Sequence, residues 1–234
     1  MKAGAGHGRT TVLLTGFGPF PRVPVNATML MVPRVAAAAR HAFPGVVMVD
    51  RILPTEWERA PQLVDAMLDE LKPDVVLHFG VSGRARGFEI ETRGVNACAD
   101  AADAAGSMPR DGVIDRGLDA ALPSRFPAAE IVRRLRRRGI AAYLSRDAGT
   151  YLCNRTLFHS LSVFDRHEDL ACVGFVHVPD ALAGLRMSAT TRRPIALAKS
   201  PLDWDAAIAG GVEIVGACLG RPPVQRPGVN RPRS

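Results

Sequence analysis

Short apolar runs, closed by glycine or proline and separated by helix-length segments, limit this chain to a narrow set of folds. Val12-Leu13-Leu14-Thr15 stops at Gly16, residues 46–53 stop at Pro54, and Val75-Val76-Leu77-His78-Phe79 stops at Gly80. Residues 140–145 form a fourth run, and Val173-Gly174-Phe175-Val176-His177-Val178, closed by Pro179, a fifth. Continuous apolar runs suit strands covered on both faces, as in parallel sheets. Between them lie helical signals. Asn26 is a good N-cap, although Pro33 predicts an irregular first turn or a later start. Trp57, Ala60, Leu63, Val64, Met67, Leu68 and Leu71 recur at three- and four-residue steps. Residues 127–138 read as a helix with Pro127 in the first turn and Gly139 just past the end. Residues 154–164 place Leu157, Leu161 and Phe164 on one face. Ser200-Pro201 opens a last helix, with Asp203 near its positive end. Residues 83–122 lack a strong period and are expected to hold short strands and a long loop.

Strand and helix alternate throughout, which implies an α/β fold: a single-domain three-layer α/β/α sandwich around a mixed, largely parallel sheet. A length of 234 residues suits one such domain. It is expected to span 10–220, with flexible termini at 1–9 and 221–234.

The net charge of +7 raises nucleic acid or an anionic surface as partners. The distribution argues otherwise. Arg133, Arg134, Arg136, Arg137 and Arg138 sit on one predicted helix, and Arg221, Arg226, Arg231 and Arg233 lie in the tail, with no interleaved aromatic residues to stack on bases. A solvated helix face and a charged tail are expected, and neither nucleic acid nor membrane as partner. Cys98, Cys153, Cys172 and Cys218 form no CxxC pair and show no metal-ligand spacing, so no metal is expected. With no signal-peptide h-region in the first residues and no membrane-length apolar run, a reducing cytoplasm is the expected setting.

Three residues at strand ends or loops carry candidate chemistry. Cys153 lies between a strand and a helix, where unpaired N–H groups and the positive dipole end would stabilise a negative sulfur and, later, an oxyanion. Taken alone, a cysteine is ordinarily a small buried apolar residue. His177 ends an apolar strand and titrates in the range suited to proton transfer. His78 ends another strand and is given no role. Glu89 and Glu91 share one strand face, and either carboxylate could orient an imidazole; spacing does not choose between them.

Four segments together resemble the type I pyroglutamyl peptidases, also called pyrrolidone carboxyl peptidases. Leu14-Thr15-Gly16-Phe17-Gly18-Pro19-Phe20, followed by Val25-Asn26, is similar to the family's opening motif. The segment from Gly80-Val81-Ser82-Gly83 resembles the one carrying its catalytic glutamate, and an ungapped count places that role on Glu91. Asp147-Ala148-Gly149-Thr150-Tyr151-Leu152-Cys153-Asn154 resembles the nucleophile motif, and Gly174-Phe175-Val176-His177-Val178-Pro179 the histidine motif. The resemblance spans roughly 11–219 and implies a cofactor-free cysteine peptidase that removes N-terminal pyroglutamate from small blocked peptides. Cys153 would be the nucleophile, His177 the base and Glu91 its orienting partner. The resemblance further implies that Phe17 and Phe20 sandwich the lactam ring, that Asn26 and Thr55 lie near it, and that Tyr151 and Leu152 line its pocket. It also implies a homo-oligomer, tetramer or dimer.

Two departures stand out: Ala27 replaces a proline, and ACADAADAAGSMPRDG after Asn96 replaces the family's usual run. The second motivates an alternative, the same triad acting on a different N-terminal residue. A non-catalytic binding protein on this fold is the further rival.

Overall fold

The computed structural model describes residues 8–21, 23–187, 194–197 and 199–223. In chain order these form β1 (Thr11–Phe17), α1 (Ala27–Ala42), β2 (Val47–Leu53), α2 (Arg59–Leu71), β3 (Val75–Ser82), β4 (Phe88–Glu91), β5 (Arg93–Val95) and β6 (Ala121–Pro123). There follow α3 (Ala128–Arg137), β7 (Ala142–Ser145), α4 (Leu152–Ser162), β8 (Cys172–Pro179), β9 (Leu185–Met187), β10 (Pro194–Ala196) and α5 (Trp204–Cys218).

The main sheet has six strands in the order β2-β1-β3-β8-β4-β7. The first four run parallel, β4 runs antiparallel to β8, and β7 is parallel to β4. Residues alternate between its two faces, as the pleat requires. Val12, Leu14, Val75, Leu77, Phe88 and Ile90 join the core under α1, α3 and α5. Leu13, Val76, Val173 and Phe175 join the core under α2 and α4. The expected three-layer α/β/α sandwich with a mixed sheet is therefore the architecture found. Two small antiparallel pairs, β5–β6 and β9–β10, lie outside it. The first falls within the expected loop-and-short-strand region; the second was not anticipated.

Several boundaries differ from expectation for local reasons. The first helix runs without interruption from Ala27 past Pro33. Asn26 accepts from Thr28 N and starts it cleanly, while Pro33 lies on the exposed side. Pro127 stands at the N-cap of α3 rather than inside its first turn. The helix expected from 154 begins at Leu152, and Phe164 falls in a separate 3-10 turn. On α3 the arginines are not simply solvated. Arg133 and Arg134 pair with Glu130, and Arg138 reaches the buried Glu213 of α5 at 2.6 Å. The expected flexible ends, 1–9 and 221–234, lie mostly outside the described residues.

One buried polar chain fastens α4 to the sheet. His78 on β3 is fully buried, with Nδ1 2.6 Å from Thr15 Oγ1 and Nε2 2.9 Å from Ser160 Oγ. Burial, aided by the nearby His159, pulls its pKa from the ordinary 6.5 to about 3. The ring is therefore neutral, with one nitrogen donating and the other accepting. His78→Leu should orphan both hydroxyls and cost on the order of 3 kcal/mol in urea unfolding. The folded-state pKa is depressed, so the unfolded ring takes up a proton first. Stability should decline as pH falls from 6.5 toward 3, and His78→Leu should flatten that slope.

Candidate active site

The antiparallel step between β8 and β4 sets the site. Glu89 is paired in register with His177, and Glu91 with Phe175. Both carboxylates project from the face that His177 shares, which is why spacing could not separate them. The imidazole leans along the diagonal: His177 Nδ1 lies 2.8 Å from Glu91 Oε1. Glu91 is fully buried and His177 is 4% exposed, whereas Glu89 is half-buried. Donor atoms of Glu89, Glu91 and His177 lie within 4.8 Å of one another. The hydrogen bond between His177 Nδ1 and Glu91 Oε1 joins two of the three and orients the imidazole.

Cys153 enters from the opposite side, in the first turn of α4. The chain reaches it through a tight loop. Asp147 Oδ1 accepts from Gly149 N at 3.0 Å, and Gly149 takes a φ of +76°, which a side chain would disfavour. Tyr151, at the N-cap, makes no side-chain cap bond, so the first-turn N–H groups are left to a ligand. Asn154 then locks the turn in place. Its Oδ1 accepts from Val95 N at 2.8 Å, and its Nδ2 donates to the carbonyls of Val95 and Ala97. Gly80, in register with His177, makes room for the sulfur. A Cβ at position 80 would lie 2.8 Å from Cys153 Sγ and 2.7 Å from Phe175 Cζ.

The electrostatics join these groups. Burial alone would lower the His177 pKa. The charge and hydrogen bonding of Cys153, together with the hydrogen bond and charge of Glu91, outweigh it and raise the value to about 10. Phe175 backs the imidazole with its ring centroid 4.8 Å away.

Above this pair opens a cavity of about 210 Å³, small beside the usual ligand pocket. Phe17, Phe20, Asn26, Thr55, Tyr151 and Leu152 all line it, together with Cys153 and His177. The six residues expected around a substrate thus converge on one space, and Glu91 stands behind His177. Asn26 Nδ2 and Thr55 Oγ1 both donate to Gly18 O, at 3.3 and 3.1 Å. These bonds shape the loop that carries Phe17 and Phe20. Tyr151 packs edge-on against Trp57, centroids 5.1 Å apart, and tilted against Phe20 at 6.4 Å.

Sequence reasoning singled out the segment after Asn96 as a departure but assigned none of its residues a role in the wall behind this slot. The unusual segment after Asn96 folds back on Thr55, Trp57 and Tyr151. Tyr151 Oη donates to Ala102 O at 2.9 Å, Trp57 Nε1 to Ala101 O at 3.0 Å, and Ala104 N to Thr55 O at 2.9 Å. Its knot is Asp103, 3% exposed, which accepts from the backbone N–H groups of Trp57, Ala105 and Ser107, each at 2.9 Å. Burial, with the charges of Asp103 and Cys153 nearby, pushes the Tyr151 phenol up to about 12 and keeps it a neutral donor. An aspartate in an alanine-rich stretch, with Gly106 three residues on, was the available clue to a tight turn.

A profile of the pyroglutamyl peptidase family matches residues 10–188. The chain belongs to the pyroglutamyl peptidase family. It is 36% identical over 170 residues to pyrrolidone-carboxylate peptidase 1 of Ralstonia nicotianae, covering 72% of this chain and 78% of the relative. It is 35% identical to the pyrrolidone-carboxylate peptidase of Pyrococcus furiosus, covering 72% and 80%. A crystal structure of Bacillus amyloliquefaciens pyroglutamyl peptidase I superposes with a TM-score of 0.75 at 26% identity, covering 90% of this chain and 97% of that one. A mutant pyrrolidone carboxyl peptidase from Pyrococcus furiosus gives 0.74 at 28%, covering 90% and 99%. The sequence resemblance and the α/β fold read from the alternation of strands and helices both hold.

The departing segment after Asn96 therefore still walls the slot of this pyroglutamyl peptidase relative. Asp103→Ala should release that wall without unfolding the sheet. Hydrogen exchange at the amides of Trp57, Ala105 and Ser107 should accelerate by more than about tenfold, while exchange along β3 and β8 stays unchanged.

Proposed function

We propose that this chain is a cysteine exopeptidase that removes N-terminal pyroglutamate from peptides, with Cys153 as nucleophile, His177 as acid–base and Glu91 as the orienting carboxylate. The observation that carries the reading is the single cavity onto which the sulfur, the imidazole and the aromatic slot all open. Residues 10–220 would act as one catalytic unit.

The chemistry follows from the geometry. His177 holds the proton given up by Cys153, so sulfur and ring form an ion pair. The sulfur attacks the carbonyl of the pyroglutamyl residue, forming the S–C bond. First-turn N–H groups of α4 face the developing oxyanion. As the C–N bond breaks, His177 gives its proton to the leaving amine. Water then loses a proton to His177 and cleaves the thioester, releasing pyroglutamate and restoring the thiol. Glu91 keeps the ring in one tautomer throughout.

The slot favours a neutral flat lactam over a charged proline ring. Phe17 and Phe20 offer π-faces, and the polar groups beside them, Asn26 and Thr55, are uncharged. The small volume, about 210 Å³, suits a single small residue, which fits removal of a terminal one. Among the described residues no helix is long and apolar enough to cross a membrane. A cytoplasmic setting and a dimer or tetramer complete the proposal, the latter on the family resemblance alone.

Two measurements test the scheme. A pyroglutamyl fluorogenic amide should be hydrolysed and its prolyl counterpart barely, and Cys153→Ala should cut turnover by more than about a thousandfold with the fold retained. Full turnover by that variant would refute the assignment. Because His177 owes part of its raised pKa of about 10 to Glu91, Glu91→Gln should let the ring lose its proton at lower pH. The alkaline limb of kcat/KM should then move downward.

A further inference from the structure

The slot and its rim differ in charge. Among the described residues, Arg84 and Asp147 are the formally charged groups that line the cavity beside His177. They lie in the loops that follow β3 and β7, and Arg84 Nη2 donates to Asp147 Oδ2 at 3.0 Å. Asp147 is committed elsewhere as well: its Oδ1 accepts from Gly149 N in the loop leading to Cys153. The backbone donor from Gly149 and the Arg84 guanidinium hold this carboxyl below the usual range, and the charge of His177 contributes to the same shift. Asp147 is therefore a fixed anion near the catalytic imidazole. Arg84 is bound less tightly. Its side chain is 76% exposed and Asp147 65%, and a pair so exposed is easily shared or opened. Five guanidinium N–H donors are available and the pair uses one nitrogen. Asp180 flanks the adjacent Gly83, with Oδ2 3.4 Å from where a Cβ would stand.

Arg84 and Asp147 line the same cavity as Cys153, His177 and the aromatic slot, so with pyroglutamate in the slot this rim is within reach of the leaving-group side. In a dipeptide the free α-carboxylate follows within one residue of the scissile bond, and an acidic side chain lies no farther out. We propose that Arg84 is a specificity-determining residue on the leaving-group side, reading a carboxylate on the first residue after pyroglutamate. The preferred substrates would then be pyroglutamyl dipeptides with a free carboxylate, or peptides with an acidic residue next to pyroglutamate. The inference rests on the peptidase reading above. Asp147 competes with the substrate for the same guanidinium and tempers the preference.

The test compares kcat/KM for pyroglutamyl-alanine, its C-terminal amide, and pyroglutamyl-glutamate amide, at low and high salt. The wild type should favour each carboxylate substrate over the neutral amide by about fivefold, with the ratio shrinking as salt screens it. Arg84→Gln should bring the ratio close to one through KM. Asp147→Asn, which keeps an acceptor for Gly149, should raise the ratio. Mere disturbance of the Cys153 loop would alter all three substrates alike in both variants and leave the ratios where they were. A wild-type ratio near one, or ratios that move together in the two variants, would overturn the inference while leaving the peptidase intact. Failure to cleave any of the three would instead remove the peptidase reading, and this inference with it.

Discussion

A carboxylate with no exposed surface is expensive to keep charged, and Glu91 is such a carboxylate. One oxygen meets His177; the other has no hydrogen-bond partner among the described residues. Its compensation comes from the imidazole, and most fully when the ring is protonated. That dependence ties the site to the fold. The pair exists because β4 runs against β8, so that Glu91 lies two residues along the same face from the position opposite His177. A slip of one residue would turn both carboxylates into the core beneath α3 and α5. The mixed sheet is thus the device that holds acid and base side by side.

The other half of the site reaches the same point by a different route. The sulfur depends on α4 starting at the right height, and three independent anchors set that height. Asn154 binds β5, Ser160 binds the neutral His78, and Asp147 caps the loop before the helix. His78 makes sense in this light. Its role is to join β1, β3 and α4 in one dry hydrogen-bonded line, and burial deprives it of acid–base chemistry near neutral pH.

Much of this was legible in the chain. The apolar runs gave the strands of the parallel half, because both faces of those strands are covered and periodicity is redundant there. Cys153 and His177 were visible as residue types at strand and helix ends, though neither stood out from ordinary packing without the family resemblance. What stayed hidden shares a physical cause: it depends on hydrogen bonds to backbone groups distant in sequence. The β9–β10 pair and the wall around Asp103 have no hydrophobic period to betray them. Arg84 and Asp147 meet across 63 positions, a pairing that no local pattern contains. Pro33 misled for the opposite reason, since a strong local rule was overridden by a good cap and an exposed position.

The wall behind the slot is made largely of peptide groups. The phenol of Tyr151 and the indole of Trp57 are met by the carbonyls of Ala102 and Ala101, and a lone carboxylate ties the bend. Main-chain atoms are common to every amino acid, so a surface built from them tolerates wholesale rewriting of the side chains that project away from it. A binding face can in this way keep its shape while the text that encodes it drifts, provided the single knotting acid and the length of the bend survive.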